Sequence, residues 1–274
     1  MPKASTFRPA ATSQPRVRRG YFECRYGQLH VHNSIPSGGG FEEGIPLLCL
    51  HPVPHSGRVF MRFLAVAGIR RSVFAPDLPG FGESDPPPGQ AGVAEHAAAM
   101  GDFLDTMRLR QVDLLGHRYG ALVAAELAAT RATQVRRLAL VSPPVAAEIV
   151  GPESIAPATD GSHLLEEWRR AVAYCGRTAS PEATTSALAD RLRNGAAAAA
   201  AATAAERTYQ LRARLAPLAT PLLVLRVGDE VVANKGQAHD VPARARVVDL
   251  PQQGASLFET APEVAAQALE SFLR

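Results

Sequence analysis

Short apolar runs, each closed by a polar or turn-rich stretch, alternate along this chain with segments whose apolar residues recur at helical spacing. Runs of the buried-strand type occupy Pro46 to Leu50, Ser72 to Pro76, Val112 to Leu115, Arg136 to Val141, Pro221 to Leu225 and Arg246 to Leu250. Unbroken apolarity over so few residues is what a strand covered on both faces requires. Helical spacing runs over Val59 to Gly68, Val93 to Met107, 120 to about 130, and Pro262 to Leu273. In the second of these, Ala97, Met100, Gly101, Leu104 and Met107 form one stripe. Tyr21 to Cys24 and Gln28 to His32 alternate about Tyr26-Gly27 and predict a hairpin. Strand and helix in alternation call for parallel pairing with helical crossovers, so the fold class is α/β with a mostly parallel central sheet and helices on both faces.

From Val145 to about Leu218 the strand signal stops. Leu164 to Tyr174 reads as an amphipathic helix carrying the only tryptophan, Trp168, and the alanine run Ala196 to Ala202 leads towards Leu211 and Leu215. These features predict a helical lid inserted over 145–218, between core segments 20–144 and 219–274. Residues 1–19 mix Pro, Ser, Thr and Ala with basic residues, have no acid until Glu23, and predict a disordered tail. Pro2, Pro9 and Pro15 interrupt the amphipathic face that a transit peptide would need. No internal repeat is visible.

Composition narrows the picture. At 274 residues and 46% hydrophobic the chain can bury a large core. It has no run of about 18 to 20 apolar residues and no signal peptide, so no membrane role and a cytoplasmic location are expected. Cys24, Cys49 and Cys175 are far apart, lack metal-ligand spacing and read as reduced thiols. A net charge of +3, scattered along the chain, gives no reason to expect nucleic acid. Gly80-Phe81-Gly82 lacks the third glycine of a dinucleotide fingerprint, so no cofactor is expected, and no metal either. The oligomeric state is not readable from the sequence.

The chemistry concentrates at Val112-Asp113-Leu114-Leu115-Gly116-His117-Arg118-Tyr119-Gly120-Ala121-Leu122. An apolar strand meets a Gly-x-x-x-Gly turn and then a helix, which is the outline of a nucleophile elbow. The residue midway between the glycines is pushed above the sheet on a strained turn. Here it is Arg118, always protonated, and therefore neither nucleophile nor base.

With the elbow stand other motifs: Leu47-Leu48-Cys49-Leu50 running into His51, the loop Ala75-Pro76-Asp77-Leu78-Pro79-Gly80-Phe81-Gly82-Glu83-Ser84-Asp85, Pro221 to Leu225, and Gly254-Ala255-Ser256-Leu257-Phe258-Glu259-Thr260-Ala261-Pro262-Glu263. In this order they resemble the α/β-hydrolase superfamily, in its capped branch of epoxide hydrolases, haloalkane dehalogenases and carbon-carbon bond hydrolases, over roughly residues 20 to 273. The resemblance puts the nucleophile on Arg118 and the catalytic histidine on Ala255, and both depart from the family. It puts the acid on Asp229 or Glu230. Two of three triad roles are vacant, which argues against ordinary acyl-enzyme hydrolysis. It also implies an oxyanion hole built from the backbone N–H groups of Tyr119, at a helix N-terminus, and of Val53.

Two roles for Arg118 stand open: a bidentate grip on a ligand carboxylate or phosphate, or neutralisation of the orphaned Asp229 or Glu230. His51 is expected to brace the oxyanion loop. His55 is expected either to face the cavity or to brace that loop, and His117 to pack beneath the elbow. Tyr119 and Trp168 are candidates for the pocket wall, with core packing as the competing reading. His239 and Asp240 are expected far from the site, and His96 and His163 in solvent. The functional expectation is a family enzyme acting by non-triad chemistry on a small carbonyl, ester or carboxylate compound. The alternatives are an inert binder of a small anionic or carbonyl ligand, and a structural or partner-binding remnant.

Overall fold

The computed structural model describes residues 15–36, 44–144, 156–176, 179–194, 196–228 and 241–274. Eight strands, β1 (Val17–Cys24), β2 (Gly27–Ser34), β3 (Gly44–Leu50), β4 (Arg71–Pro76), β5 (Val112–His117), β6 (Val135–Val141), β7 (Leu222–Val227) and β8 (Arg246–Leu250), form one sheet in the order β1-β2-β4-β3-β5-β6-β7-β8. β2 pairs antiparallel with β1 and β4, and every other pairing is parallel.

The apolar runs become central strands because each supplies two cores. Along β3, Leu48 and Leu50 face one cluster while Leu47 and Cys49 face the other, all fully buried. The first cluster is roofed by α2 (Val93–Thr106) and α3 (Tyr119–Thr130). The second lies under α1 (Met61–Ala67), α8 (Leu257–Thr260) and α9 (Pro262–Leu273). α3 is buried from Tyr119 to Ala128, as a helix apolar on all sides must be. Asp113, at the foot of β5, is fully buried and held by Arg71 at 2.9 Å and Arg136 at 2.6 Å.

Between β6 and β7 the described residues form α4 (Ser162–Cys175), α5 (Pro181–Arg193), α6 (Ala196–Thr208) and α7 (Leu211–Leu215). No helix among the described residues is long and apolar enough to cross a membrane. Two expectations need correction. β1 begins at Val17, so Val17, Arg18 and Arg19 pair in the sheet instead of belonging to a disordered tail. The hairpin turns on Arg25-Tyr26, and Gly27, at φ 114, already pairs with Cys24. Alternation alone does not locate a two-residue turn.

Candidate functional site

β3 has β4 on one side and β5 on the other, so the chain reverses its direction of travel there and leaves a crevice at the carboxyl ends of the strands. The elbow stands at that crevice. Arg118 has φ 50 and ψ −117, between the end of β5 and the start of α3. Its N–H donates to the Val141 carbonyl at 2.9 Å and its carbonyl accepts from Ala121 at 2.8 Å, which locks the turn. A Cβ on Gly116 would collide with the Gly120 carbonyl, and one on Gly120 with the Leu50 carbonyl. The glycine spacing read in the sequence is thus what lets β5, α3 and β3 approach one another.

A cavity of about 650 Å³ opens over the elbow. Arg118, Ala255 and Ser142 line it, with Tyr174 from α4 and Gln252, Gln253 and Thr260 from the segment after β8. Arg118 and Ala255, the expected nucleophile and histidine positions, are therefore brought together. Half-buried Arg118 forms no side-chain hydrogen bond or ion pair among the described residues. Asp229, Glu230, His239 and Asp240 lie outside the described residues.

The remaining candidates stand away from the cavity lining. His51 accepts from the Leu78 N–H on Nε2 at 2.8 Å, so Nδ1 carries the proton and donates to the Pro52 carbonyl at 2.9 Å. It braces the loop, and burial holds its pKa low. His55 is buried and stacks on Tyr174, ring centroids 4.1 Å apart, with its pKa driven well down by burial and then by the Arg191 charge. Val53 is buried in the first core cluster. Trp168 is half-buried on α4 and does not line the cavity, because it is Tyr174, six residues further along, that reaches the wall.

Tyr119 turns its side chain away from the cavity. Its hydroxyl donates to Nδ1 of His96 at 2.7 Å, and Nε2–H of His96 donates to the Pro79 carbonyl at 3.2 Å. His96, expected in solvent, is thus 1% exposed, and burial lowers its pKa to about 4. His163 is half-buried and accepts from the Ala158 N–H at 3.1 Å. His117 packs edge-on against Phe258 beneath the elbow, as expected, with a pKa lowered to about 3 by burial and by neighbouring Arg118.

Two acids at the base of the inserted helices were not singled out in the sequence. Tyr174 donates its hydroxyl to Glu259, whose pKa burial raises to about 7. Asp190 accepts from the Ser56 N–H at 2.9 Å and the Ser56 hydroxyl at 2.6 Å, and burial raises its pKa to about 6. Ser142 was missed too; it is 1% exposed at φ 46, and its hydroxyl has no partner among the described residues. Nothing in the local pattern marks the two acids, because their partners are remote in the chain.

Comparison with known proteins follows the same lines. The family profile described as the alpha/beta hydrolase fold matches residues 45–217. The chain is 36% identical over 123 residues to Epoxide hydrolase 2 of Siraitia grosvenorii, covering 40% of this chain and 38% of that protein. It is also 36% identical over 118 residues to Lipase LipV of Mycobacterium tuberculosis, covering 43% of this chain and 42% of that protein. These matches span less than half the length of the curated relatives. Among solved structures, the N-acyl homoserine lactonase AidH superposes with a TM-score of 0.74 at 22% identity over 94% of this chain and 97% of that one. The epoxide hydrolase CorEH superposes with a TM-score of 0.68 at 17% identity over 94% of this chain and 100% of that one. The structures attest the fold alone, and the profile, matching well over half the chain, fixes the family: the chain belongs to the alpha/beta hydrolase fold family.

Proposed function

We propose that this protein binds a small carboxylate-bearing compound in the cavity over the elbow and carries out no acyl-enzyme hydrolysis. One observation carries the reading. Arg118 lines the cavity and its guanidinium engages no described side chain, while no histidine is among the described residues that line it. A permanently charged planar fork facing such a space suits a carboxylate held through two parallel hydrogen bonds. The first amide of α3, on Tyr119, has no acceptor within its own helix and adds a favourable dipole end for the same anion. The inserted helices act as a lid in this reading, with Tyr174 closing one wall.

A non-triad enzyme using His55 as proton carrier has less support, since that ring is stacked behind Tyr174 and stays neutral. N-hexanoyl homoserine, present in an AidH complex of the same fold, is a suitable probe because it joins an acyl chain to a carboxylate. Calorimetry with this compound and with hexanoate is expected to show binding by the wild type and a loss of at least tenfold in Arg118→Gln. Equal binding by the two proteins, or turnover of simple esters by the wild type, would refute the reading.

A further inference from the structure

Away from the elbow, β2 presents two histidines on one face. Leu29 and Val31 point into the first core cluster, so His30 and His32, two residues apart, share the opposite face. Their rings meet edge to face with centroids 4.6 Å apart. The antiparallel pairing of β2 with β4 sets Val31 opposite Pro76, and the Asp77 N–H then donates to the His30 carbonyl at 2.8 Å. That step brings the Asp77 carboxylate to 2.8 Å from Nδ1 of His30. All three residues are at most 1% exposed, and one ligand atom from each lies within 4.8 Å of the others.

His32 is the group that needs an explanation. It is fully buried, and neither ring nitrogen has a hydrogen-bond partner among the described residues. An imidazole normally reaches the interior only when its nitrogens are satisfied. Asp77, by contrast, is fixed before any ligand arrives: Gly57 donates its N–H to one carboxylate oxygen at 2.7 Å and Glu83 donates to the other at 2.9 Å. We propose that His30, His32 and Asp77 bind a divalent transition-metal ion of the zinc class, which staples β2 to the loop that follows β4.

Two imidazoles and a carboxylate are a ligand set suited to zinc, with bonds of about 2.0 to 2.2 Å, so the widest separation must close by roughly 1.2 to 1.5 Å through side-chain rotation. The ion takes the place of the hydrogen between His30 Nδ1 and Asp77. His30 stays neutral by carrying its hydrogen on Nε2, which faces the Glu83 carboxylate at 3.9 Å. A metal-bound histidine ordinarily donates its second N–H to a carboxylate, which fixes the tautomer and ring orientation, so this separation must shorten to ordinary hydrogen-bond length when the ion binds. Asp77 supplies one negative charge directly to the ion, and Glu83, which Arg58 also engages at 2.8 Å, lies beside the site. Tyr21, 53% exposed, separates the site from solvent: its ring lies 5.2 Å from that of His30 and its hydroxyl donates to Glu83 at 3.1 Å.

The experiment uses the full chain stripped of metal with a chelator and titrated with Zn²⁺ and Co²⁺. One equivalent of each should bind, Zn²⁺ should raise the melting temperature, and Co²⁺ should give the intense visible absorption of a four-coordinate site made of the three side chains and one water. Imidazole nitrogen NMR of the zinc-loaded wild type should show direct coordination at two histidines, a readout that needs no variant. His32→Phe should lower affinity at least tenfold, and His163→Ala should leave it unchanged. Absence of stoichiometric binding by the wild type, a weak six-coordinate cobalt spectrum, or equal affinity in a folded His32→Phe protein would overturn the proposal.

Discussion

Tyr174 donates its hydroxyl to the Glu259 carboxylate across 2.7 Å and so ties α4 to α8 at the wall of the cavity. Burial raises the Glu259 pKa to about 7 from its ordinary 4.5, with the Asp190 charge adding to the shift and the Tyr174 bond opposing it. Tyr174→Phe removes that donor, and the loss matters most when the carboxylate is ionised. A hydrogen bond to a charged group is worth about 1.5 to 3 kcal/mol. Urea unfolding should therefore show a loss of that order at pH 8 and a smaller one at pH 6, where Glu259 is largely protonated. Equal losses at both pH values would mean that the bond does not sense the charge.

Arg118 and Ala255 line one cavity, so the positions expected for the nucleophile and the histidine lie in one place. Arg118→Ser alone supplies a hydroxyl without a base, and Ala255→His alone supplies a base without a nucleophile. The two groups act as a unit, so neither single variant should hydrolyse p-nitrophenyl esters above the wild-type background. The double variant should exceed that background by at least tenfold and be trapped by a serine-directed phosphonate. Trapping of the wild type by the same reagent would show that another side chain has taken over the attack.

Gly120 has no room for a side chain, because a Cβ there meets the carbonyl of Leu50 on the neighbouring strand. Backbone atoms on a central strand do not move aside as the end of a flexible side chain would. Gly120→Ala should cost about 1 to 3 kcal/mol, the usual range for overpacking, and shift the urea midpoint without changing the slope. Gly89→Ala, at a position where a Cβ meets nothing, is the matched control and should be near neutral.

The central strands and the elbow were legible because their signals are local. Leu47 to Leu50 is apolar throughout because consecutive residues feed opposite cores, and Gly116 and Gly120 are spaced for one tight crossing. What escaped the sequence joins residues far apart in the chain. Asp190 finds Ser56 across 134 positions and Tyr174 finds Glu259 across 85, so neither pair leaves a periodic trace. His96 looked solvated among the alanines of α2 because its partner, Tyr119, sits on another helix. The His30-x-His32 spacing was visible, but Asp77 reaches it only through the antiparallel pairing of β2 with β4.

His117 gives the stability of the fold a definable pH dependence. Its ring is fully buried, both nitrogens lack partners among the described residues, and its pKa falls from 6.5 to about 3 through burial and then the Arg118 charge. Between those two values the unfolded chain takes up a proton that the folded one refuses, so this contribution is intact above pH 6.5 and is lost as pH falls. Buried Asp190 and Glu259, at about 6 and about 7, have raised pKa values and act in the opposite sense. The informative quantity is therefore the difference between wild type and His117→Phe. At pH 7 the variant, with an apolar ring against Phe258, should be close to the wild type in stability. By pH 5 it should be the more stable protein by about 2 kcal/mol, the free energy of roughly 1.5 pH units below the ordinary histidine value. Urea midpoints across pH 5 to 7.5 read this directly, and parallel profiles for the two proteins would show that His117 is not held neutral by its surroundings.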